Sequence, residues 1–414
     1  MVTIEFPPDL GGVGQSVMRI AKMLQDKGCE VHVVVFHSRQ VKDALPVGSD
    51  EAGYENQRGF DFSVQDGIQV HRSRVVVKSD INAVTEFLSD VSLELCRLHD
   101  RVKFDVFHAF FINETGLLTT LLAKESGVPV INSIRGSDLH KNIFNYKYFN
   151  QIIWALENSS WVTFVSRDLE SRAHVLAPTT VGKTTAFWNS VAPIDFDALP
   201  KPLMAREKLK GLVIGSFGRF RDKKGIDYLI RACGELKQEH ELTLLLVGDF
   251  LERERQFWLE CIRKNNAEDI VIVTGMLPRE EALAYFDLID IFAIPSIRDG
   301  CPNAMLEAML AGKAVIGGNV DAIGEIIEHE VNGLSVKPAS TEDLVSAIRR
   351  LAVDPHLRQQ LGQAARRTAL GDLSPAVECD NWITVYKQVI QQHGKVEPQT
   401  KPLSAVRGFS AHGA

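Results

Sequence analysis

The stretch Ile291–Gly318, IFAIPSIRDGCPNAMLEAMLAGKAVIGG, decides how this chain folds. Its first run, Ile291–Pro295, is continuously apolar and reads as a strand buried on both faces. A loop carrying Asp299 and Gly300 follows. Pro302 then opens a helical pattern, with Glu307 about one and a half turns in. Small residues break that helix, and a second apolar run, Ala314–Gly317, returns. Two continuously apolar strands joined by a helix are the unit of a parallel sheet covered on both faces.

The same alternation runs along the chain. Candidate strands in the first half are Val2–Ile4, Val31–Phe36, Val106–Phe110, Val128–Ser133, Val162–Val165 and Thr185–Trp188. In the second half they are Leu212–Phe217, Leu242–Gly248, Ile270–Thr274, Ile291–Pro295, Ala314–Gly317 and Leu334–Val336. The pattern pauses at PIDFDALPKPLMAREKLKG (Pro193–Gly211), a proline-rich polar segment that reads as an interdomain linker. Residues 1–195 and 196–374 are therefore expected to form two Rossmann-like, doubly wound α/β domains. A ligand belongs in the cleft between them, at the carboxyl ends of the strands. Residues 375–393 read as a last helix with Trp382, Val385, Tyr386 and Val389 on one face. Residues 394–414 lack periodicity and are expected to be disordered. Only Met1 to Ile4 precede the first loop, as if the chain began inside its first strand.

Hydrophobic residues make up 45% of the 414, enough for two large cores. A net charge of −7 argues against nucleic acid as partner. Six scattered cysteines lack metal-ligand spacing and read as reduced thiols in a cytoplasmic protein. No signal peptide or membrane-length apolar run is visible. The expected location is cytoplasmic, with peripheral contact at the inner membrane face left open.

Three constellations fall at strand ends. PPDLGGVGQSVMRIAKML (Pro7–Leu24) places glycines before an amphipathic helix, whose N-terminal amides suit a phosphate. It lacks the phosphate-loop lysine, and alone it reads better as a tight turn. GRFRDKKG (Gly218–Gly225) puts Arg219 and Lys223 or Lys224 around a turn, where two cations neutralise a diphosphate or simply face solvent. In the opening stretch, Asp299 and Glu307 suit sugar or ribose hydroxyls. Equally, Asp299 reads as a helix cap and Glu307 as an ordinary helix glutamate. Together the three describe a site for a diphosphate with a sugar at one end and a nucleoside at the other.

With these motifs the chain resembles a retaining glycosyltransferase of family 4, of the GT-B fold. FPPDLGGVG, GRFRDKKG, LLLVGD, VIVTGMLPREEALAYFDLIDIFAIPS and DGCPNAMLEAMLAGKAVI carry the resemblance, which runs from about residue 2 to residue 392. It implies an N-terminal acceptor-binding domain, a C-terminal donor-binding domain and a last helix that crosses back. It places Gly12 beside the donor phosphates. It gives Arg219 and Lys224 the diphosphate leaving group, Glu307 the ribose hydroxyls and Asp299 the sugar hydroxyls. Gly300, Cys301, Pro302, Asn303 and Ala304 would line the sugar and phosphate pocket, and Gly275 and Met276 would contact the base. The donor is a nucleotide-diphosphate-sugar, used as a co-substrate. No cofactor and no metal are expected. The acceptor is a carbohydrate, a lipid-linked glycan or a small molecule.

The chain departs from the family pattern in two places. Asp299 stands where the motif has glutamate. Arg135, in SIRGSDLHKN, stands where a histidine is frequent. Arginine is no general base near neutral pH but suits an anionic acceptor or a phosphate. Asp138, three residues on, is a candidate for orienting the acceptor, and His108 is a third acceptor-side candidate. Asp195 and Asp197 imitate a metal-binding Asp-x-Asp, but in the linker. HKNIFNYKYFNQIIWALE (His140–Glu157) reads as an acceptor wall, a membrane-surface contact or a buried helix face. The expected reaction is glycosyl transfer with retention. The alternatives are a sugar-nucleotide 2-epimerase on the same fold and an inactive nucleotide-sugar-binding protein.

Overall fold

Each half of the chain gathers its apolar runs into one sheet. The structure, a computed structural model, describes residues 1–9, 11–36, 39–40, 60–73, 76–77 and 83–394. The first half runs β1 (Val2–Thr3), α1 (Gly12–Asp26), β2 (His32–Val35), β3 (Arg39–Gln40), β4 (Phe60–Gln65), β5 (Ile68–Ser73), β6 (Val76–Val77), α2 (Ala83–Val102), β7 (Phe107–Phe110) and α3 (Glu114–Ser126). It continues with β8 (Val130–Ile134), α4 (Ser137–His140), α5 (Tyr146–Asn158), β9 (Trp161–Phe164), α6 (Arg167–Leu176) and β10 (Thr184–Ala186). The second half runs β11 (Leu212–Phe220), α7 (Ile226–Leu236), β12 (Leu242–Phe250), α8 (Arg255–Lys264), β13 (Val271–Val273), α9 (Arg279–Ala284) and β14 (Ile291–Ile294). Then come α10 (Asn303–Leu310), β15 (Ala314–Gly318), α11 (Asp321–Ile326), β16 (Leu334–Val336), α12 (Thr341–Val353), α13 (Pro355–Leu370) and α14 (Pro375–His393).

The second sheet has the order β13-β12-β11-β14-β15-β16, parallel throughout. The first has the order β10-β9-β8-β7-β1-β2-β5-β4, and β3 pairs with β6 in a separate two-stranded sheet. Connections leave in opposite directions between β11 and β14, and between β1 and β7. A crevice opens at the carboxyl ends of strands wherever that happens.

The expectation of an all-parallel first sheet is corrected at its edge. β4 runs antiparallel to β5, from Phe60 opposite Ser73 to Gln65 opposite Ile68. Asp66 and Gly67 join them, both at positive φ (50° and 81°), as a two-residue hairpin requires. β4 alternates instead of running apolar, and its Phe62 and Val64 are exposed, so a search for continuous apolar runs passes over it. The Asp-Gly pair was its legible signal.

α14 returns to the first domain. Trp382 packs with Val17, Ile20 and Phe110, while Val385 and Val389 pack with Ile131 and Trp161. Arg19 on α1 grips Glu378 on α14 with two hydrogen bonds of 2.7 and 3.2 Å, and Ser190 in the connecting segment donates to the same carboxylate. One apolar core spans both domains, joining Ile134, Leu139 and Val165 to Cys301, Met305 and Ile323. Residues 395–414 lie outside the described residues, and with them all but the first residue of the tail expected to be disordered. Among the described residues no helix is long and apolar enough to cross a membrane.

Candidate active site

β11 and β14 flank the point of reversal, and the segments that follow them deliver opposite charges. After β11, a short 3-10 turn (Asp222–Lys224) is closed by Gly225 at φ 65°. A Cβ on Gly225 would stand 2.1 Å from the Pro295 carbonyl oxygen, so only glycine permits the turn to lie on the β14 loop. Lys224 Nζ therefore meets Asp299 Oδ2, and Lys223 Nζ lies 3.6 Å from Oδ1. Burial raises the Asp299 carboxyl, but Lys224 and Lys223 outweigh it and hold the group at about 2. Arg219 is exposed at the end of β11.

Glu307 is 7% exposed on α10 and accepts from Arg279 Nη1 at 2.5 Å. Burial pushes its carboxyl up, and Arg279 opposes the push. Arg279 escaped the sequence reading, although it opens α9 just past the turn expected to hold the base. In that turn Gly275 has φ 77° and bridges to Gly248, and Met276 is 48% exposed.

The N-terminus of α10 is capped by no side chain. Pro302 occupies the cap position, and Asn303 Oδ1 is buried without a hydrogen-bond partner. The cleft is narrow here: a Cβ on Gly12, the first residue of α1, would lie 4.0 Å from Asn303 Nδ2. Two helix N-termini thus meet across the cleft, a doubled positive field for an anion. Glu5, also unforeseen, reaches into the glycine loop, where its carboxylate bonds to the Gly14 backbone. A Cβ on Gly11 would meet Glu5 Oε2 at 1.9 Å. Burial raises the Glu5 carboxyl. Gly300 gives its carbonyl to Ala322 N at 3.1 Å, and Cys301 gives its carbonyl to Asn189 Nδ2 at 2.9 Å. Burial pushes the Cys301 thiol up to about 12, so it is no nucleophile. Ala304 is half-buried beside them.

The acceptor-side candidates part company. His108 is 1% exposed, with Nδ1 on Tyr386 OH and Nε2 on Ser133 Oγ, both at 2.7 Å. Burial holds it well below its usual pKa. It supports α14 and does not face the cleft, which corrects the expectation. Asp138 is fully buried, and its oxygens accept from the backbone of Ile112 (2.9 Å) and Arg135 (3.0 Å). Both are occupied, so it shapes the loop and does not orient an acceptor. Arg135 reaches the cleft, its Nη2 on Asn189 Oδ1 at 2.6 Å.

Asp195 caps a short turn in the linker, accepting from the amides of Asp197 and Ala198. α5 buries Ile152, Ala155 and Leu156, while Phe144 and Tyr146 before and at its start stay exposed. His140, Asp168 and Asp321 bring three ligand-type atoms within 4.8 Å, but His140 Nε2 and Asp321 Oδ1 already pair at 3.0 Å across the domains.

Residues 10–185 match the family described as Glycosyltransferase Family 4, and residues 204–368 match Glycosyl transferases group 1. The chain belongs to the family 4 glycosyltransferases. An uncharacterized glycosyltransferase of Methanocaldococcus jannaschii is 25% identical, over 95% of this chain and 99% of its own. The N-acetyl-alpha-D-glucosaminyl L-malate synthase of Bacillus anthracis is 22% identical over 94% and 97%. Among solved structures, sucrose-phosphate synthase from Thermosynechococcus elongatus superposes with a TM-score of 0.74 at 17% identity, covering 94% and 99% of the two chains. Anabaena HepE in complex with UDP gives 0.68 at 17%, covering 95% and 99%. This glycosyltransferase therefore has the GT-B fold, and its three motif regions meet in the cleft between the domains.

Proposed function

We propose that this glycosyltransferase moves a sugar from a nucleotide-diphosphate-sugar to its acceptor with retention at the anomeric carbon, without a metal. The observation that carries the reading is the pair of carboxylates on one loop and helix, each held by a cation: Lys224 on Asp299 and Arg279 on Glu307. Hydroxyls of sugar and ribose bind in their place, and the released cations turn to the diphosphate. Arg219, Lys224 and the α10 N-terminus then stabilise the charge that grows on the departing diphosphate in an oxocarbenium-like transition state. The departing phosphate takes the acceptor's proton on the same face, since Cys301 is a protonated thiol and His108 is turned away. The tight meeting of the domains excludes water and limits donor hydrolysis.

His140 and Asp321 form a His–carboxylate pair across the domains, but both are buried and committed to each other and to the Asp299 amide, which argues against 2-epimerisation. The intact cation–carboxylate pairs favour turnover over passive binding. The acceptor is a carbohydrate, a lipid-linked glycan or a small molecule.

The test is a thermal-shift screen with UDP, GDP, ADP, CDP, TDP and their sugars, with and without EDTA. A ligand at about a hundred times its dissociation constant adds roughly 2.7 kcal/mol. The expected result is a shift with one nucleotide, unchanged by EDTA and lost in Arg219→Ala, then product of retained configuration by NMR. A shift that needs metal, or no shift at all, overturns the reading.

A further inference from the structure

Arg135 follows β8 and projects from the N-terminal wall of the cleft. Among the described residues it has one side-chain hydrogen bond, to the neutral amide of Asn189, and no carboxylate within ion-pair distance. The charges around it are already committed. Glu378 is held by both Arg19 contacts and by Ser190. Both Asp138 oxygens accept backbone N–H groups. Arg19, the other guanidinium nearby, repels it. Burial, with that repulsion, outweighs the attraction of Glu378 and Asp138 and pulls Arg135 down to about 10, so the half-buried cation has those carboxylates near it but no ion pair of its own. A partly desolvated charge that forms no ion pair is costly, and a guanidinium left so at the cleft points to a partner that arrives with a ligand.

Its position narrows that ligand. Asn189 bridges the guanidinium to the carbonyl of Cys301, so Arg135 is one amide away from the loop that opens α10. The diphosphate has its own cations on the opposite wall, at Arg219 and Lys224. At the same α10 terminus, the buried Asn303 Oδ1 has no partner and awaits a donor such as a hydroxyl.

We infer that Arg135 forms a second anion subsite, separate from the diphosphate, which takes a carboxylate or phosphate carried by the transferred sugar or by the acceptor. The planar fork of arginine suits the two oxygens of either group. The inference rests on the proposed function, since it assumes the diphosphate on the far wall.

The experiment uses the full chain and matched pairs of ligands that differ only in the anion. In the donor arm, with uridine as the base, affinity is compared for UDP-glucose and UDP-glucuronate; another base from the screen replaces uridine in both. In the acceptor arm the protein is saturated with the nucleoside diphosphate, and L-malate is compared with malamide and glucose 6-phosphate with glucose. Expected is a preference of about tenfold or more for the charged member in one arm, lost in Arg135→Met, with binding of the nucleoside diphosphate alone changed by less than about threefold. The arm that responds names the source of the anion. Equal affinities in both arms overturn the inference, as does a preference that survives Arg135→Met. Loss of nucleoside diphosphate binding in Arg135→Met assigns the arginine to the diphosphate and also overturns it. Should Arg135→Met fail to fold, Arg135→Lys keeps the charge without the fork and is expected to weaken the preference severalfold; an undiminished preference there overturns the inference. Failure of the wild type to bind any nucleoside diphosphate sinks the proposed function itself, which is a different result.

Discussion

Gly300 lies so close to Arg135 that a Cβ on it would stand 2.5 Å from the Arg135 carbonyl oxygen and 2.9 Å from Val165 Cγ2. The two residues belong to different domains, so the smallest side chain at position 300 decides how far the cleft closes. Gly300→Ala is expected to hold the domains apart by about half an ångström or more and to lower kcat by about tenfold or more, because reacting groups must meet within a narrow geometry. Steady-state kinetics beside a melting curve check this; unchanged kcat in a folded variant would show that closure at this point does not matter.

The ion pair of Lys224 and Asp299 makes stability depend on pH. The folded pKa of Asp299, about 2, lies below the usual carboxylate value. The unfolded chain therefore binds the proton more tightly, and the group's contribution is present above about pH 4 and is lost as pH falls through about 2. In Lys224→Ala the largest of the groups that hold the carboxylate is gone and Lys223 and the Ser296 hydroxyl remain, so the loss is expected to begin at higher pH. Acid unfolding followed by fluorescence tests this, and identical profiles would refute it. The same variant is expected to abolish transfer while remaining folded near neutral pH.

Glu307 offers its carboxylate to Arg279 at 2.5 Å, and to ribose in the proposed complex. Glu307→Gln keeps the shape and removes the charge. A hydrogen bond to a charged group contributes about 1.5–3 kcal/mol, so kcat/KM is expected to fall roughly ten- to a hundredfold. The wild type is expected to prefer a ribonucleoside to a 2′-deoxyribonucleoside donor, and the variant to lose that preference. If the variant still discriminates, Glu307 does not hold the ribose.

Glu5 places a carboxylate against the glycine loop at the start of α1, where an anionic donor is expected. Glu5→Gln removes that repulsion and is expected to tighten nucleoside diphosphate binding about two- to fivefold, the scale of a single charge at a helix terminus. Calorimetric titration of both proteins decides it, and weaker binding in the variant would make Glu5 a ligand instead of a competitor.

The sequence alone determined the two parallel sheets, the pause between them and the residues that carry charge at the strand ends. Continuous apolar runs, helical spacing, glycine and proline are local properties, legible wherever they occur. Asp299, Glu307, Arg219 and Lys224 stood out for the same reason. The tertiary structure alone decided which charges meet. Arg279 reaches Glu307 from 28 residues away, and His108 is turned from the cleft by Tyr386, 278 residues away on the returning helix. Glu5 in the glycine loop and the guanidinium of Arg135, one amide from the Cys301 carbonyl, belong to the same class. Each depends on which loops the topology brings together and on what burial does to a charge there, and neither is written in local spacing.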